Sequence, residues 1–364
     1  MLKSLLGTLI LLFTCFTYHP LAAANQQKGL FVTVLQEPQT LSSRKEIAKL
    51  ISFSQQAGIK NIFIQVYRAN KSWFASAIAD QTPYLSCRES AGEDPLQLLI
   101  SQAHEHGIKV YAWMNMLSLG ENKNAPLLKK YGESILTTNR TRKKRLEDYK
   151  IDSQYFLEPG DTRVHKELSG IVEEVVRSYP ELDGLLFDYI RYPDVEPDYG
   201  YTKENLRAFQ EKTGISRPDA AMPQWQGWKR AQVNGLLDEL CRKVRGLQPG
   251  MAVTATGCSS YSRAYYEAFQ DWPSWLKNRT VDYVVFMSYE SGLSDYRAAI
   301  AGAKEKTPDF SKVMLTVGAY KQLKSPGKFG QQLRACEDAA SGGCIIFHYG
   351  SLVDAPALAD EVKQ

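Results

Sequence analysis

The sequence predicts an α/β fold, a (β/α)8 TIM barrel with long inserted loops after strands 3 and 4. Strand-like and helix-like segments alternate along the chain, which is typical of a parallel α/β protein. Eight strand-like segments can be counted, the number that closes a barrel. The glycine-rich phosphate turn that often follows the first strand of an open doubly wound sheet is absent from the sequence.

Each predicted strand is a short apolar run, the pattern of a strand buried on both faces. The clearest example ends abruptly at a carboxylate, in the run Leu185-Leu186-Phe187-Asp188. The eight predicted strands cover residues 30–35, 61–67, 108–113, 184–187, 251–256, 281–287, 312–317 and 344–347.

Helices are predicted between the strands from apolar periodicity and from end signals. The helix over 94–105 begins with Asp94 as its cap and Pro95 at its first position, and Gly107 marks its end. Two excursions interrupt the alternation, at 115–159 and 189–227. The other predicted helices cover residues 43–56, 163–178, 228–246 and 352–362.

Residues 1–24 are predicted to be a signal peptide. Lys3 provides a basic start, residues 5–16 are almost wholly apolar, and Ala22-Ala23-Ala24 suits cleavage before Asn25. We therefore expect residues 25–364 to form a single barrel domain that is exported to the periplasm or secreted. The apolar run is too short for a comfortable membrane span, and an uncleaved anchor is the alternative. No second long apolar segment follows, so no stable membrane insertion is expected after cleavage.

The formal net charge of +4 gives no strong case for a nucleic-acid partner. The basic run 140–145 is predicted to be a solvated loop, with a polyanion-binding patch as the alternative. The five cysteines after residue 24 are odd in number and lack the spacing of a metal site, so neither a metal nor a cofactor is predicted. Cys336 and Cys344 are the nearest pair, and export would permit a disulfide between them. Their predicted positions, on a helix and at the start of a buried strand, argue against it.

The strand ends carry the functional signal, because barrel enzymes build their sites from residues at the C-terminal ends of the strands. Aromatic rings, amides and guanidinium groups occupy these positions together with a few carboxylates. Rings stack on the apolar faces of sugars while amides and guanidinium groups bind hydroxyls, so the mixture predicts a polysaccharide or oligosaccharide partner. The predicted substrate-binding residues are Gln65, Arg68, Trp113, Asn115, Tyr189, Arg191, Tyr289 and His348. Each of them has a structural alternative, as a loop tie or a packing residue.

Glycoside cleavage needs one protonated carboxyl group and a second that stays ionised. Asp188 is predicted to be one of the two, against the alternative of a capping or salt-bridging residue. Arg191 lies close enough in sequence to lower the pKa of Asp188, which would favour its ionised form and the role of nucleophile or base. The predicted partner is Glu290, whose aromatic neighbours would favour the protonated form, with Glu158 as its rival.

Five segments together carry a family resemblance. They are 28–33, 64–68, 110–115, 156–164 and the run Asp183-Gly184-Leu185-Leu186-Phe187-Asp188-Tyr189-Ile190-Arg191-Tyr192-Pro193. These segments resemble the glycosyl-hydrolase-like family 10 barrels, and the resemblance covers most of the chain after residue 24. It implies an exported bacterial barrel that cleaves envelope or extracellular glycans.

A more distant likeness is to family-18 chitinases, through Met287-Ser288-Tyr289-Glu290 at the end of the sixth predicted strand. The fourth strand departs from that family, because Leu186 and Arg191 stand where its acids would be. Chitinase-type assistance by a substrate N-acetyl group is therefore not expected.

Three hypotheses about function follow. The leading one is an exported glycoside hydrolase that uses paired carboxylates on a cell-envelope or extracellular polysaccharide. The second is a catalytically inactive glycan-binding barrel, since Leu186 and Arg191 replace acids of a relative. A barrel enzyme of another class is disfavoured, because the sequence shows neither a metal cluster nor a clear Schiff-base lysine.

Overall fold

A computed structural model describes residues 27–141, 143–195, 197–307 and 309–364. The predicted signal peptide, 1–24, and Arg142 of the basic run lie outside the described residues. In the part of the chain that is described, no helix combines the length and the apolar character needed to cross a membrane.

Eight parallel strands form a closed barrel, which confirms the predicted fold class. Each strand pairs with its neighbours in chain order, and β1 closes the barrel by pairing with both β2 and β8. The strands are β1 Lys28–Val32, β2 Ile59–Arg68, β3 Lys109–Asn115, β4 Gly184–Asp188, β5 Ala252–Cys258, β6 Tyr283–Met287, β7 Val313–Gly318 and β8 Gly343–Phe347.

Helices surround the barrel and occupy parts of its top loops. Asp94 caps α3 at the predicted position, where its side chain accepts hydrogen bonds from the backbone N–H groups of Leu96 and Gln97. The helices are α1 Arg44–Gln56, α2 Thr82–Ala91, α3 Pro95–Glu105, α4 Pro126–Tyr131, α5 Thr162–Ser178, α6 Lys203–Thr213, α7 Pro223–Leu247, α8 Tyr261–Tyr266, α9 Trp272–Lys277, α10 Leu293–Lys306, α11 Pro326–Glu337, α12 Tyr349–Asp354 and α13 Pro356–Lys363.

The sequence did not predict α2. It buries only Tyr84, Cys87 and Ala91, so its apolar periodicity is weak. Its signals are local instead, with Pro83 in the first turn and Gly92 in the left-handed conformation at its end.

The inserted loops contain more regular structure than predicted. The first holds α4 and two short antiparallel strands, Ser118–Gly120 and Tyr155–Phe156. The second holds α6 and the first turn of α7, which starts at Pro223 and not at 228. Trp225 is fully buried there, with its ring 4.9 Å from that of Phe209, because the loop has a small apolar core of its own.

The barrel interior is filled by a cluster of side chains from successive strands. Phe31, Tyr111, Trp113 and Leu186 belong to this cluster, which closes the barrel beneath the ends of the strands. Gly184 lies against it, and a Cβ added there would come within 2.7 Å of the Tyr111 ring and 2.5 Å of the Ala252 carbonyl oxygen. The strand ends are therefore supported by a packed core and not by a channel.

Two local details bear on the sequence predictions, the end of β1 and the pairing of Cys336 with Cys344. Strand β1 ends at Val32 and not at residue 35. Beyond that point the side-chain oxygen of Gln65 accepts a hydrogen bond from the backbone N–H of Val34, in place of a backbone carbonyl group of a neighbouring strand. Cys336 and Cys344 form a disulfide with their Cα atoms 5.8 Å apart, which joins α11 to β8.

Candidate active site

A cavity of about 470 Å³ opens at the C-terminal ends of the strands, and we call it the Asp188 pocket. Eight of the eleven predicted site residues line it together: Arg68, Trp113, Asn115, Asp188, Tyr189, Arg191, Tyr289 and His348. Gln65, Glu158 and Glu290 are not among its lining residues.

Asp188 ends β4 on the floor of the pocket and is only 5% exposed. Its Oδ2 accepts a hydrogen bond from Trp113 Nε1 at 3.0 Å. Its Oδ1 accepts from Thr256 Oγ1 at 2.7 Å and from the backbone N–H of Tyr189 at 2.7 Å. Three donors from three strand ends thus fix the carboxylate, whose oxygens act as acceptors.

Trp113 is held in place by aromatic packing below the pocket. Its ring meets Phe31 edge-on, with centroids 4.9 Å apart, and Phe347 at 6.1 Å. It was predicted as a platform for a sugar ring, but it is only 4% exposed. In the structure its clearest contact is the hydrogen bond that orients Asp188.

Arg191 forms its ion pair with Asp194 and not with Asp188. Tyr189 has a φ of +57°, so the chain turns sharply just after β4. The guanidinium group of Arg191 then lies 4.7 Å from the centre of the Tyr189 ring. Arg263 also forms an ion pair with Asp194, so two cations share one carboxylate at the pocket wall.

Gln65 supports the site from below. It is fully buried, accepts a hydrogen bond from Thr33 Oγ1 at 3.0 Å and donates to Asn115 Oδ1 at 3.2 Å. With its carbonyl oxygen engaged in this way, Asn115 presents its amide N–H groups as donors to the pocket that it lines.

Glu158 is fully buried beneath the inserted loops. Tyr192 donates to it at 2.5 Å and the backbone N–H of Gly160 at 3.3 Å. Burial raises the pKa of Glu158 to about 6. This carboxyl group ties segment 155–160 to the loop after β4, away from the pocket.

Glu290 is half-buried and lines a different cavity, of about 590 Å³, on the flank of the barrel. Ser259 borders both cavities. Within the described ranges, Asp194 is the only carboxylate besides Asp188 that lines the Asp188 pocket.

Tyr289 and His348 form the opposite wall. The Tyr289 ring packs against Phe347, with centroids 5.0 Å apart, and against Tyr320 at 5.7 Å; burial raises the pKa of its hydroxyl well above the ordinary value. Burial lowers the pKa of His348, which favours its neutral imidazole, and Ser351 Oγ lies 3.4 Å from Nε2.

Sequence reasoning missed Thr33, Asp194, Thr256, Cys258 and Arg263. The first, third and fourth lie at or just past the ends of β1 and β5, so the strand-end rule would have found them if applied to those two strands. Asp194 directly follows the proline that ends the sequence signature. Arg263 lies on α8 and carries no comparable signal.

A larger cavity of about 730 Å³ lies between the two inserted loops and includes Arg140 and Lys143 of the basic run. Arg140 donates there to Tyr201 and Asp219. None of its lining residues belongs to a barrel strand, so the Asp188 pocket is the candidate active site. In residues 27–141, 143–195, 197–307 and 309–364, no group of three or more His, Cys, Asp or Glu side chains is arranged to hold a metal ion.

Known proteins resemble this chain in sequence and in fold. It is 23% identical over 253 residues to glycosyl hydrolase DigH of Escherichia coli (strain K12), an alignment that covers 65% of this chain and 55% of the relative. DigH of Shigella flexneri matches with the same values. The chain therefore spans about half the length of these curated relatives.

Among solved structures, the PgaB (BpsB) glycoside hydrolase domain from Bordetella bronchiseptica superposes with a TM-score of 0.69 at 18% identity, over 93% of this chain and 99% of that one. The catalytic domain of β-amylase from Paenibacillus polymyxa gives 0.62 at 13% identity, over 94% and 98%. At such identities the likeness concerns the fold, which is that of glycoside hydrolase barrels.

The sequence model of the family described as Glycosyl hydrolase-like 10 matches residues 28–331, which span seven barrel strands and both inserted loops. The chain belongs to the glycosyl hydrolase-like 10 family.

Proposed function

We propose that this protein is an exported glycoside hydrolase that cleaves a cell-envelope or extracellular polysaccharide in the Asp188 pocket. The observation that carries the proposal is the position of Asp188, a carboxylate oriented by three donors on the floor of a cavity at the strand ends. Family membership and the glycoside hydrolase fold support the same activity.

Hydrolysis adds the hydroxyl of water to the anomeric carbon and a proton to the leaving oxygen, and it normally uses two carboxyl groups. We propose Asp188 and Asp194 as this pair, because both line the pocket. In this proposal Asp188 contacts the anomeric centre, while Asp194 gives a proton to the leaving oxygen and regains one from the attacking water. Asp194 is in addition the anchor for Arg191 and Arg263.

The glycan contacts that we propose come from the same pocket. Asn115 and Arg191 bind polar groups of the sugar, and Tyr189 and Tyr289 offer ring faces. Asn115 is oriented from beneath by Gln65. Export rests on the predicted signal peptide in residues 1–24.

The test is incubation of the protein, lacking residues 1–24, with purified peptidoglycan glycan strands and a panel of β-linked exopolysaccharides, with new reducing ends as the readout. Asp188→Asn is measured in parallel, together with glycan affinity. New ends from the wild type and none from Asp188→Asn would support the proposal. Equal binding without cleavage by either protein would favour the inactive glycan-binding barrel. This outcome needs a test because Asp194 already pairs with Arg191 and Arg263.

A second comparison identifies the partner carboxylate. Asp194→Asn should reduce cleavage by about a hundredfold or more, the size of a general acid–base contribution. Glu290→Gln, outside the pocket, should retain it. Azide added to Asp188→Ala should restore turnover as a glycosyl azide, if Asp188 contacts the anomeric centre. If Glu290→Gln lost all cleavage while Asp194→Asn stayed active, Glu290 and not Asp194 would be the partner carboxylate.

A further inference from the structure

The charges that line the Asp188 pocket do not balance. Three guanidinium groups, of Arg68, Arg191 and Arg263, face two carboxylates, of Asp188 and Asp194. His348 does not alter this, because burial lowers its pKa and favours the neutral ring. The pocket therefore carries an excess positive charge.

Among the three guanidinium groups, that of Arg68 is the one without a protein partner in the described residues. Asp194 takes both Arg191 and Arg263, while Asp188 is satisfied by Trp113, Thr256 and a backbone N–H. No ion pair or hydrogen bond of the Arg68 side chain occurs within the described residues. Arg68 is half-buried and lines the pocket, so its guanidinium group is available to a ligand there.

The backbone at Arg68 is firmly held. It is the last residue of β2 and pairs with Lys71 across a two-residue turn in which Ala69 and Asn70 have φ values of 54° and 57°. The Asn70 side chain is fully buried, donates to Tyr67 Oη at 3.1 Å and accepts the backbone N–H of Leu127 at 3.0 Å. The turn thus holds the Arg68 backbone fixed at the pocket.

The strand next to β2 adds a neutral donor. Arg68 follows Tyr67, which is in register with Met114, so Arg68 and Asn115 end adjacent strands. A planar guanidinium group binds a carboxylate through two parallel N–H bonds, and the Asn115 amide can donate to the same group or to a neighbouring hydroxyl.

We propose that Arg68 binds a carboxylate on the glycan, so that the substrate is an acidic polysaccharide whose sugars carry a uronic acid or a carboxyalkyl ether. This rests on the proposed function for the cleavage itself but not for the binding. Glycans rich in free amino groups are poor substrates, because their cations meet the excess positive charge. A sugar phosphate or sulfate would share the anionic chemistry, so the experiment includes both.

The experiment uses matched glycans that differ in one group. Peptidoglycan glycan strands with free carboxyl groups and a polyuronate are each compared with their carboxyl-reduced counterparts, in which the linkages are unchanged. A phosphorylated and a sulfated polysaccharide form separate arms. Wild type should show kcat/KM at least tenfold higher on a carboxylate glycan than on its reduced form.

Arg68→Gln should remove that preference by lowering kcat/KM much more on the carboxylate glycan than on the reduced glycan. Arg68→Lys should retain part of it, since lysine keeps the charge and loses the two-point geometry. Arg297→Gln, which removes an exposed arginine on α10, is the control for net charge and should change neither rate.

Equal rates on native and reduced glycans, or an equal loss on both in Arg68→Gln, would overturn the inference while leaving hydrolysis intact. A preference for the phosphate or sulfate arm would reassign the anion. If the wild type cleaves nothing, affinities for the same pairs decide: loss of carboxylate-dependent binding in Arg68→Gln supports the inference, although the proposed function has failed. If binding does not depend on the glycan carboxylate in this way, the inference is refuted as well.

Discussion

The indole Nε1 of Trp113 lies 3.0 Å from Oδ2 of Asp188 and donates a hydrogen bond to it, which links the end of β3 to the candidate catalytic carboxylate on β4. The indole is wedged between Phe31 and Phe347, so the donor cannot easily move away.

Trp113→Phe should therefore reduce kcat/KM by about 10- to 100-fold, since a hydrogen bond to a charged group contributes about 1.5–3 kcal/mol. Reducing-end release measures the effect. Trp272→Phe is the matched control, because the Nε1 of that buried indole has no hydrogen-bond partner among the described residues. Equal losses in the two variants would mean that packing, and not the bond to Asp188, is what matters.

Two threonines on β5 separate orientation of the site from stability of the barrel. Thr256 donates to Asp188 at 2.7 Å, whereas Thr254 donates to the backbone carbonyl of Leu185 at 2.9 Å. Thr256→Val should reduce kcat about tenfold with little change in Tm. Thr254→Val should destabilise the fold by about 1 kcal/mol and leave kcat unchanged. Thermal unfolding and turnover of both variants test this, and the reverse pattern would contradict it.

Stability should depend on pH through two buried groups, Glu158 and Lys229. Burial raises the pKa of Glu158 to about 6, so the folded state retains a proton that the unfolded state releases between about pH 4.5 and 6, and stability falls as pH rises through that window. Burial lowers the pKa of Lys229 to about 7, so between about pH 7 and 10.5 the unfolded state holds the extra proton and stability rises with pH.

Glu158→Gln should remove the fall in stability between about pH 4.5 and 6, which is on the order of 2 kcal/mol. Lys229→Met should remove the rise in stability between about pH 7 and 10.5. Lys229 is fully buried, with its ammonium 3.8 Å from the centre of the Phe269 ring, so Lys229→Met should also stabilise the protein near pH 7. Urea unfolding across the pH range measures the free energy of unfolding of each variant relative to that of the wild type. A variant with the wild-type profile would show that its group does not titrate as described.

Gly184 at the start of β4 tests the packing of the barrel interior. Gly184→Ala should destabilise the fold by about 1–3 kcal/mol, because the added methyl group meets the Tyr111 ring and a backbone oxygen. Gly235→Ala, within α7, meets nothing within 4 Å and should stabilise by about 0.5–1 kcal/mol. Denaturant midpoints measure both, and a neutral Gly184→Ala would mean that β4 can shift outward.

Local patterns predicted the barrel well. Each strand is buried on both faces and so appears as an apolar run, and Asp94 and Pro95 mark a helix start that depends only on neighbouring residues. The helix α2 was missed because its buried face is narrow. The strand-end rule brought together eight residues that do line one pocket.

Contacts across the fold were not predictable in the same way. Arg191 is three residues from both Asp188 and Asp194, and the left-handed turn at Tyr189 accompanies its pairing with the latter. Glu158 and an acid in the pocket look alike in sequence, since only the folded loops show that Glu158 is enclosed beneath them.

The turn that carries Arg68 is bonded to the inserted loop after β3, through Asn70 to Leu127 and through Asn122 to the carbonyl of Ala69 at 2.8 Å. The 67–72 turn and the inserted loop after β3 therefore form one exchangeable unit. Grafting the inserted loop onto a related barrel without its 67–72 turn would leave Asn122 and the N–H of Leu127 without their partners. Diversification of this barrel, by evolution or by design, is thus expected to replace both segments together.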